Sequence, residues 1–249
     1  ESHHMSAPVF SRALRALSCK HVLGLSATPE RKDGMTRLLY YSMGQISHRI
    51  ERSPEHALVS CILFESRHKR KEIIQGGKVS LPLMLNVLAK DRERNLVIAR
   101  HIVRLMLLGR AIIVLSDRIS QLQDVLEQIV TLGGEKEDTS FYVGSTPSSQ
   151  RAIATEKQCI LSTYSMAKEG LDIPRLDTLI LASPKGDVVQ AIGRIQRKCQ
   201  GKATPLVIDV VDTFSVFEAL RWKRWNYYKK QGFSCQTYSS TGDDEVWHL

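Results

Sequence analysis

The sequence has no apolar run near the roughly 18 residues that a membrane-spanning helix needs. It has no CxxC pair either: the five cysteines, Cys19, Cys61, Cys159, Cys199 and Cys235, are odd in number and widely spaced. That spacing excludes a disulfide framework or a cysteine zinc site, and it reads as reduced thiols in a cytosol-like compartment. A phosphate-cradling loop is missing as well. Gly76-Gly77-Lys78-Val79-Ser80 lacks the first Gly at the required offset and has Val after its Lys, and Gly201-Lys202-Ala203-Thr204 fails in the same way. Residues 1–10 carry a carboxylate and two histidines but no apolar segment, which excludes a signal peptide there. The chain opens without Met, as if cut from something longer.

What is present is enough for a packed α/β body. The chain has 249 residues, 43% of them hydrophobic, which allows one full domain and part of another. Its net charge of +9 favours a polyanionic partner such as nucleic acid. Short β-branched runs alternate with longer helical stretches. Strands are expected over 21–25, 58–64, 111–115, 140–143, 159–162, 178–181 and 206–210. Helices are expected over 8–17, 34–41, 92–107, 120–130, 147–155, 188–197 and 214–230. Alternation of this kind predicts a parallel sheet covered by helices on both faces, with function in the loops at the carboxyl ends of its strands. The organisation expected is a remnant over 1–52, a connector over 53–91, a domain over 92–235 and a fraying tail over 236–249.

Two motifs follow strands in the second half. Ser162-Thr163 leads into Glu169-Gly170-Leu171-Asp172-Ile173-Pro174, and Gln190-Ala191-Ile192-Gly193-Arg194-Ile195-Gln196-Arg197 opens a helix. Glycine lets a backbone approach a nucleotide closely, and an Asp can take a ribose hydroxyl. Two arginines three apart on one helix face can reach one anion. Independently, Glu1-Ser2-His3-His4 reads as the end of a DExH box, and Gly24-Leu25-Ser26-Ala27-Thr28-Pro29 follows an apolar run.

In that order these segments resemble superfamily 2 helicases along nearly the whole chain. Motif II is cut at the start, motif III is Ser26-Ala27-Thr28, motif V spans Thr163 to Pro174, and motif VI spans Gln190 to Arg197. GLSATPERKDG and DVVQAIGRIQR look most like the XPB-like DExH branch, closest to helicases of large cytoplasmic DNA viruses and phages. The resemblance implies a RecA-like second motor domain plus the tail of the first. It implies an enzyme using ATP with Mg2+ to unwind or translocate on nucleic acid, DNA favoured over RNA, in the cytoplasm of a host or in a virion.

The same resemblance implies roles for single residues. Glu1 would polarise the attacking water. Arg194 and Arg197 would stabilise the transferring phosphoryl group, an effect of ~10³–10⁵ in rate. Gly170, Asp172 and Gln190 would bind ATP, with Gln190 bridging towards His3. His3, Ser26 and Thr28 would couple nucleotide state to closure, and Thr163 would hold a strand phosphate. The phosphate loop and the magnesium carboxylate would lie upstream. Adjacent His3 and His4 have no further ligands at metal spacing, so no metal site is expected in the chain itself.

Softer signals come from the loops at Ser116-Asp117-Arg118 and Gly144-Ser145-Thr146. Arg118 and Ser145 could touch a strand backbone, or Ser145 and Thr146 could cap the helix after Pro147. The stretch Arg221 to Lys230 interleaves bases with aromatics. It suits base stacking, and better suits a helix docked on the sheet. Two other readings of the whole remain open at this level. One is a remodelling ATPase that releases transcripts without separating strands. The other is a stand-alone nucleic-acid-binding module without catalysis of its own.

Overall fold

The computed structural model describes residues 2, 5, 11–12, 16, 19–26, 34–49, 56–66, 71–168 and 171–240. The chain divides into two units, Glu1–Ser53 and Pro54–Leu249.

In the first unit, α1 (Thr36–Met43) buries Leu39 and ends at Gly44, whose amide donates to Tyr40 O at 2.9 Å. It starts two residues later than the pattern suggests. Residues 21–25 do not form the expected strand, because a strand exists through hydrogen-bonded neighbours and none pairs with it among the described residues. Ser2 does donate its amide to Leu25 O at 2.8 Å. The helix expected over 8–17 lies mostly outside the described residues, as do Glu1, His3 and Thr28.

The second unit is built on a parallel sheet whose strands are β1 (Leu58–Phe64), β4 (Ile112–Ser116), β5 (Thr139–Tyr142), β6 (Cys159–Thr163), β7 (Thr178–Leu181), β8 (Leu206–Asp212) and β9 (Ser234–Ser239). Their order is β5-β6-β4-β7-β8-β1-β9, and every pairing is parallel. Two expectations need correcting here. β1 sits inside the sheet, paired with both β8 and β9, so 53–91 is not merely a connector. β9 reaches Ser239, so the ordered body runs past the expected tail boundary at 236.

Successive side chains of a strand face opposite ways, and the core follows that period of two. Ile113 and Leu115 of β4 join Ile160, Leu179 and Leu181 on one face, while Ile112 and Val114 join Cys159, Leu161 and Ile180 on the other. Helices α3 (Arg92–Leu107) and α4 (Ile119–Thr131) cover the second face through Ile98, Ile102, Leu105, Leu122, Val125 and Ile129. The first face is covered by α5 (Ser148–Glu156), α6 (Tyr164–Lys168), α7 (Val189–Ile195) and α8 (Val216–Lys230), through Ala154, Tyr164, Ile192 and Tyr228. Full burial of one such side chain contributes about 1.5–3 kcal/mol.

Residues 71–89 form a satellite. Strands β2 (Ile74–Gln75) and β3 (Lys78–Val79) make a hairpin whose turn is Gly76-Gly77, at φ 61° and 75°. A two-residue turn with both φ positive is the type I′ geometry that glycine alone adopts without strain, so this glycine pair is a hairpin turn. Helix α2 (Leu81–Ala89) follows and packs Met84, Leu85 and Leu88 on Phe217.

On α3, His101 is pulled down from 6.5 to about 4, by burial first and by nearby Arg104 second. A lowered folded-state value means that the unfolded chain takes up the proton more readily. The stability tied to neutral His101 is therefore present above about pH 6.5 and is lost as pH falls towards 4. Thermal melts across that window should show a decline that His101→Gln flattens; an identical decline in the variant rules His101 out as its source.

Candidate functional site

The carboxyl ends of the parallel strands gather the second unit's motif loops on one edge, where open sheets of this type bind ligands. Ser116, the last residue of β4, is in register with Thr163, the last of β6, and Leu115 with Leu181 at the end of β7. Thr163 thus lies at this edge, and the segments that follow the strands carry Arg118, Ser145, Asp172 and Lys185.

Thr163 is half-buried at the β6–α6 junction. Its Oγ1 lies 3.1 Å from Ser165 Oγ and accepts weakly from the Met166 amide at 3.5 Å, so the hydroxyl caps the short helix α6. The next residue, Tyr164, is buried, which pushes its phenol up and keeps it a donor, here to Ser183 O at 2.8 Å. That bond ties α6 to the loop after β7. Gly170 lies outside the described residues.

The arginines of the second motif are not arranged as the sequence suggests. Helix α7 ends at Ile195, so Arg194 is in its last turn and Arg197 lies beyond it, not on a shared helix face. Arg194 donates from Nη1 to Leu171 O at 2.6 Å and from Nη2 to Lys168 O at 2.8 Å. Its planar fork thus spans the ends of the segment holding residues 169 and 170. Arg197 pairs with the Asp172 carboxylate; Arg197 is 29% exposed and Asp172 69%. Gln190 sits half-buried in the first turn of α7. The α7–β8 connection is tied to the same place, since Lys202 Nζ donates to Arg197 O at 2.7 Å and to Pro174 O at 3.2 Å.

Arg118 is committed elsewhere. Its guanidinium donates to Asn86 Oδ1 at 2.6 Å, Pro82 O at 2.9 Å and Asp117 O at 2.9 Å. It braces helix α2 against the β4 loop, which leaves little of the fork for a strand phosphate. Ser145 is exposed in the turn after β5. The capping alternative fails: the position before α5 is Pro147 without a side-chain cap, and Thr146 Oγ1 instead accepts from the Val143 amide at 3.1 Å.

Beneath the edge lie buried ionic groups that sequence reasoning did not single out. Arg94 and Asp212 are both 0% exposed, with Nη2 and Oδ2 2.9 Å apart. Arg94 also donates to Val210 O at 3.1 Å and to Ala182 O, joining the ends of β7 and β8. Ala182 O takes a second bond from Gln121 Nε2 at 3.2 Å, and Gln121 Oε1 accepts from Ser116 Oγ at 2.7 Å. On the opposite face Arg224 donates to Asp209 Oδ2 at 2.8 Å and to Lys185 O at 2.8 Å, while Tyr228 adds a bond to Asp209 at 3.0 Å. Burial works against the charge on Arg224, but Asp209 more than restores it. The advance signal for these groups was a charge inside an otherwise apolar strand, at Asp209 and Asp212; Arg94 and Arg224 stand among other charged residues and carried no such signal.

Among the described residues, no three His, Cys, Asp or Glu side chains stand close enough together to hold a metal. For the phosphates of ATP the fit is partial: Arg197 presents an exchangeable guanidinium, whereas the fork of Arg194 is occupied by backbone.

Residues 96–199 match the helicase conserved C-terminal domain. Across 96% of its length the chain is 34% identical to "Putative ATP-dependent RNA helicase L396" of Acanthamoeba polyphaga mimivirus, covering 47% of that protein. It is 25% identical over 96% of its length to "Putative ATP-dependent RNA helicase QP509L" of African swine fever virus, isolate Pig/Kenya/KEN-50/1950, covering 53% of it. The chain thus spans about half the length of these relatives. Among solved structures, phage T4 UvsW superposes with a TM-score of 0.58 at 17% identity, over 83% of this chain and 45% of that one. The shared fold is the RecA-like parallel sheet flanked by helices.

Proposed function

We propose that this chain, which carries a helicase conserved C-terminal domain over residues 96–199, is the C-terminal part of a superfamily 2 DExH enzyme that couples ATP hydrolysis to movement along nucleic acid. The observation that carries the reading is the convergence of Thr163, Asp172, Arg194 and Arg197 at the carboxyl edge. Arg197 is the finger: it leaves Asp172 for the phosphoryl group as charge builds there, and Asp172 is released towards the ribose. Arg194 is a positioning residue, holding the carbonyls of Lys168 and Leu171, the latter next to Asp172. Gln190 senses the nucleotide from the first turn of α7. Thr163 donates its hydroxyl to a strand phosphate. By the same resemblance Glu1 would polarise the attacking water and His3, Ser26 and Thr28 would couple nucleotide state to closure, while the carboxylate for Mg2+ would lie mostly upstream of Glu1.

DNA is the nucleic acid we favour, on the likeness of GLSATPERKDG and DVVQAIGRIQR to the XPB-like branch. The mimivirus and African swine fever virus relatives are named RNA helicases. Strand-displacement assays on the full-length protein with matched DNA and RNA duplexes decide between the two. ATP-dependent separation of DNA is expected. Stimulated ATP hydrolysis without separation points to a remodelling translocase. No nucleic-acid stimulation of hydrolysis sinks the reading. The 249-residue chain alone, without a phosphate loop, should hydrolyse no ATP above background.

A further inference from the structure

The outer face of α8 is left unexplained by the motifs. Its inner face docks as expected, with Phe217, Arg224 and Tyr228 buried. Outwards it presents Trp222, Lys223, Asn226, Lys229 and Lys230, all exposed and spaced to form one stripe. A solvated helix face usually mixes signs at i and i+4. Here Glu218 is the helix's one acidic residue, and no ion pair among the described residues engages Lys223, Lys229 or Lys230. The helix dipole accounts for cations in the last turn. It does not account for Trp222, which is 49% exposed and carries the Arg221 guanidinium 5.4 Å from its ring centroid. Nearby, Lys229 lies 5.3 Å from the Trp225 ring. Cations alternating with flat rings are the chemistry that grips phosphates and stacks bases.

The stripe is anchored to the motif edge. Arg224 holds Lys185 O, and Gly186 approaches α8 so closely that a Cβ there would meet Leu220 at 3.1 Å and Lys223 at 3.2 Å. The same loop is bonded to Tyr164, beside Thr163, through Ser183 O. We propose that the outer face of α8 is a second contact surface for a single strand of nucleic acid, with Trp222 stacking a base and Lys223, Lys229 and Lys230 holding phosphates. It lies outside the helicase motifs and rests on the reading that the protein works on nucleic acid.

The 249-residue chain can be titrated with fluorescein-labelled dT20 and rU20 by anisotropy at several salt concentrations. Trp222→Ala should weaken binding about five- to one-hundred-fold, the range of a lost base stack, with Trp222→Phe restoring most of it. Lys223→Glu with Lys230→Glu should weaken it by at least about tenfold and lower the salt slope by about 1.4, two phosphate contacts at ~0.7 each. Thermal midpoints of these surface variants should stay near that of the parent. Affinity unchanged in both variants, but lost in Thr163→Ala, overturns this inference and leaves the helicase reading intact. A chain that binds neither strand overturns both. Equal weakening of polyglutamate binding would mark a general polyanion patch and also overturn it.

Discussion

Arg197→Ala in the full-length protein should lower ATP turnover by at least about 100-fold while nucleotide affinity weakens only modestly. Charge on the transferring phosphoryl group is fully developed only during the reaction, so a group that meets it there contributes to turnover more than to binding. Lys should rescue poorly at this position, because a point charge cannot replace the planar fork. Its partner Asp172 is 69% exposed, so breaking the pair costs the fold about 1 kcal/mol or less. Arg194→Ala should lower turnover too, but by another route. It removes two bonds to the carbonyls of Lys168 and Leu171, so amide exchange at Leu171 and Asp172 should quicken as turnover falls. Wild-type turnover in Arg197→Ala, with only a lower thermal midpoint, would remove the mechanistic core of this reading. Unchanged exchange in Arg194→Ala would remove the bracing role.

Arg94→Met should destabilise the second unit by about 3–5 kcal/mol, because Asp212 would be left as a buried charge without its partner. Two carbonyls, Ala182 O and Val210 O, would lose a donor as well. In a body of this size each kcal/mol moves the thermal midpoint by about 2–4 °C, so a fall on the order of 10 °C is expected. Replacing both charges, Arg94→Met with Asp212→Leu, should recover much of the loss, since a well-packed apolar pair avoids the desolvation cost. Urea unfolding of the two variants measures this directly. A single variant within 1 kcal/mol of the parent would show that water or rearrangement solvates Asp212.

The parts of the structure legible in the sequence are those with a strong local pattern. Leu58–Phe64, Ile112–Ser116, Cys159–Thr163 and Leu206–Asp212 are β-branched runs, and all four are strands of the sheet. Helices α3 and α8 fall within two residues of their expected bounds, and the docked face of α8 was anticipated. Elements that depend on a distant partner were harder to read. Ser234–Ser239 has a polar, half-exposed pattern and becomes a strand only because β1 lies beside it. Residues 21–25 carry an apolar run but, among the described residues, have no strand partner. At the site, Thr163, Asp172, Arg194 and Arg197 stand at the ends of β6 and α7 and in the segments that follow them. Sequence spacing could not reveal that α7 stops at Ile195, that Arg194 is spent on backbone carbonyls, or that Arg118 is spent on α2.

The position of β1 also bears on how the protein is made. Of the strands described in this sheet, Leu58–Phe64 leaves the ribosome first, yet both of its neighbours, Leu206–Asp212 and Ser234–Ser239, come last. Through most of synthesis this apolar strand has no partner, and non-local parallel pairing is slow to form. A nascent chain stalled before β8 therefore exposes a sticky strand edge of the kind that chaperones shield and aggregates recruit. Truncations that end before Leu206 should accumulate as insoluble protein, even though four of the five sheet strands they retain, β4 to β7, can still pair with one another.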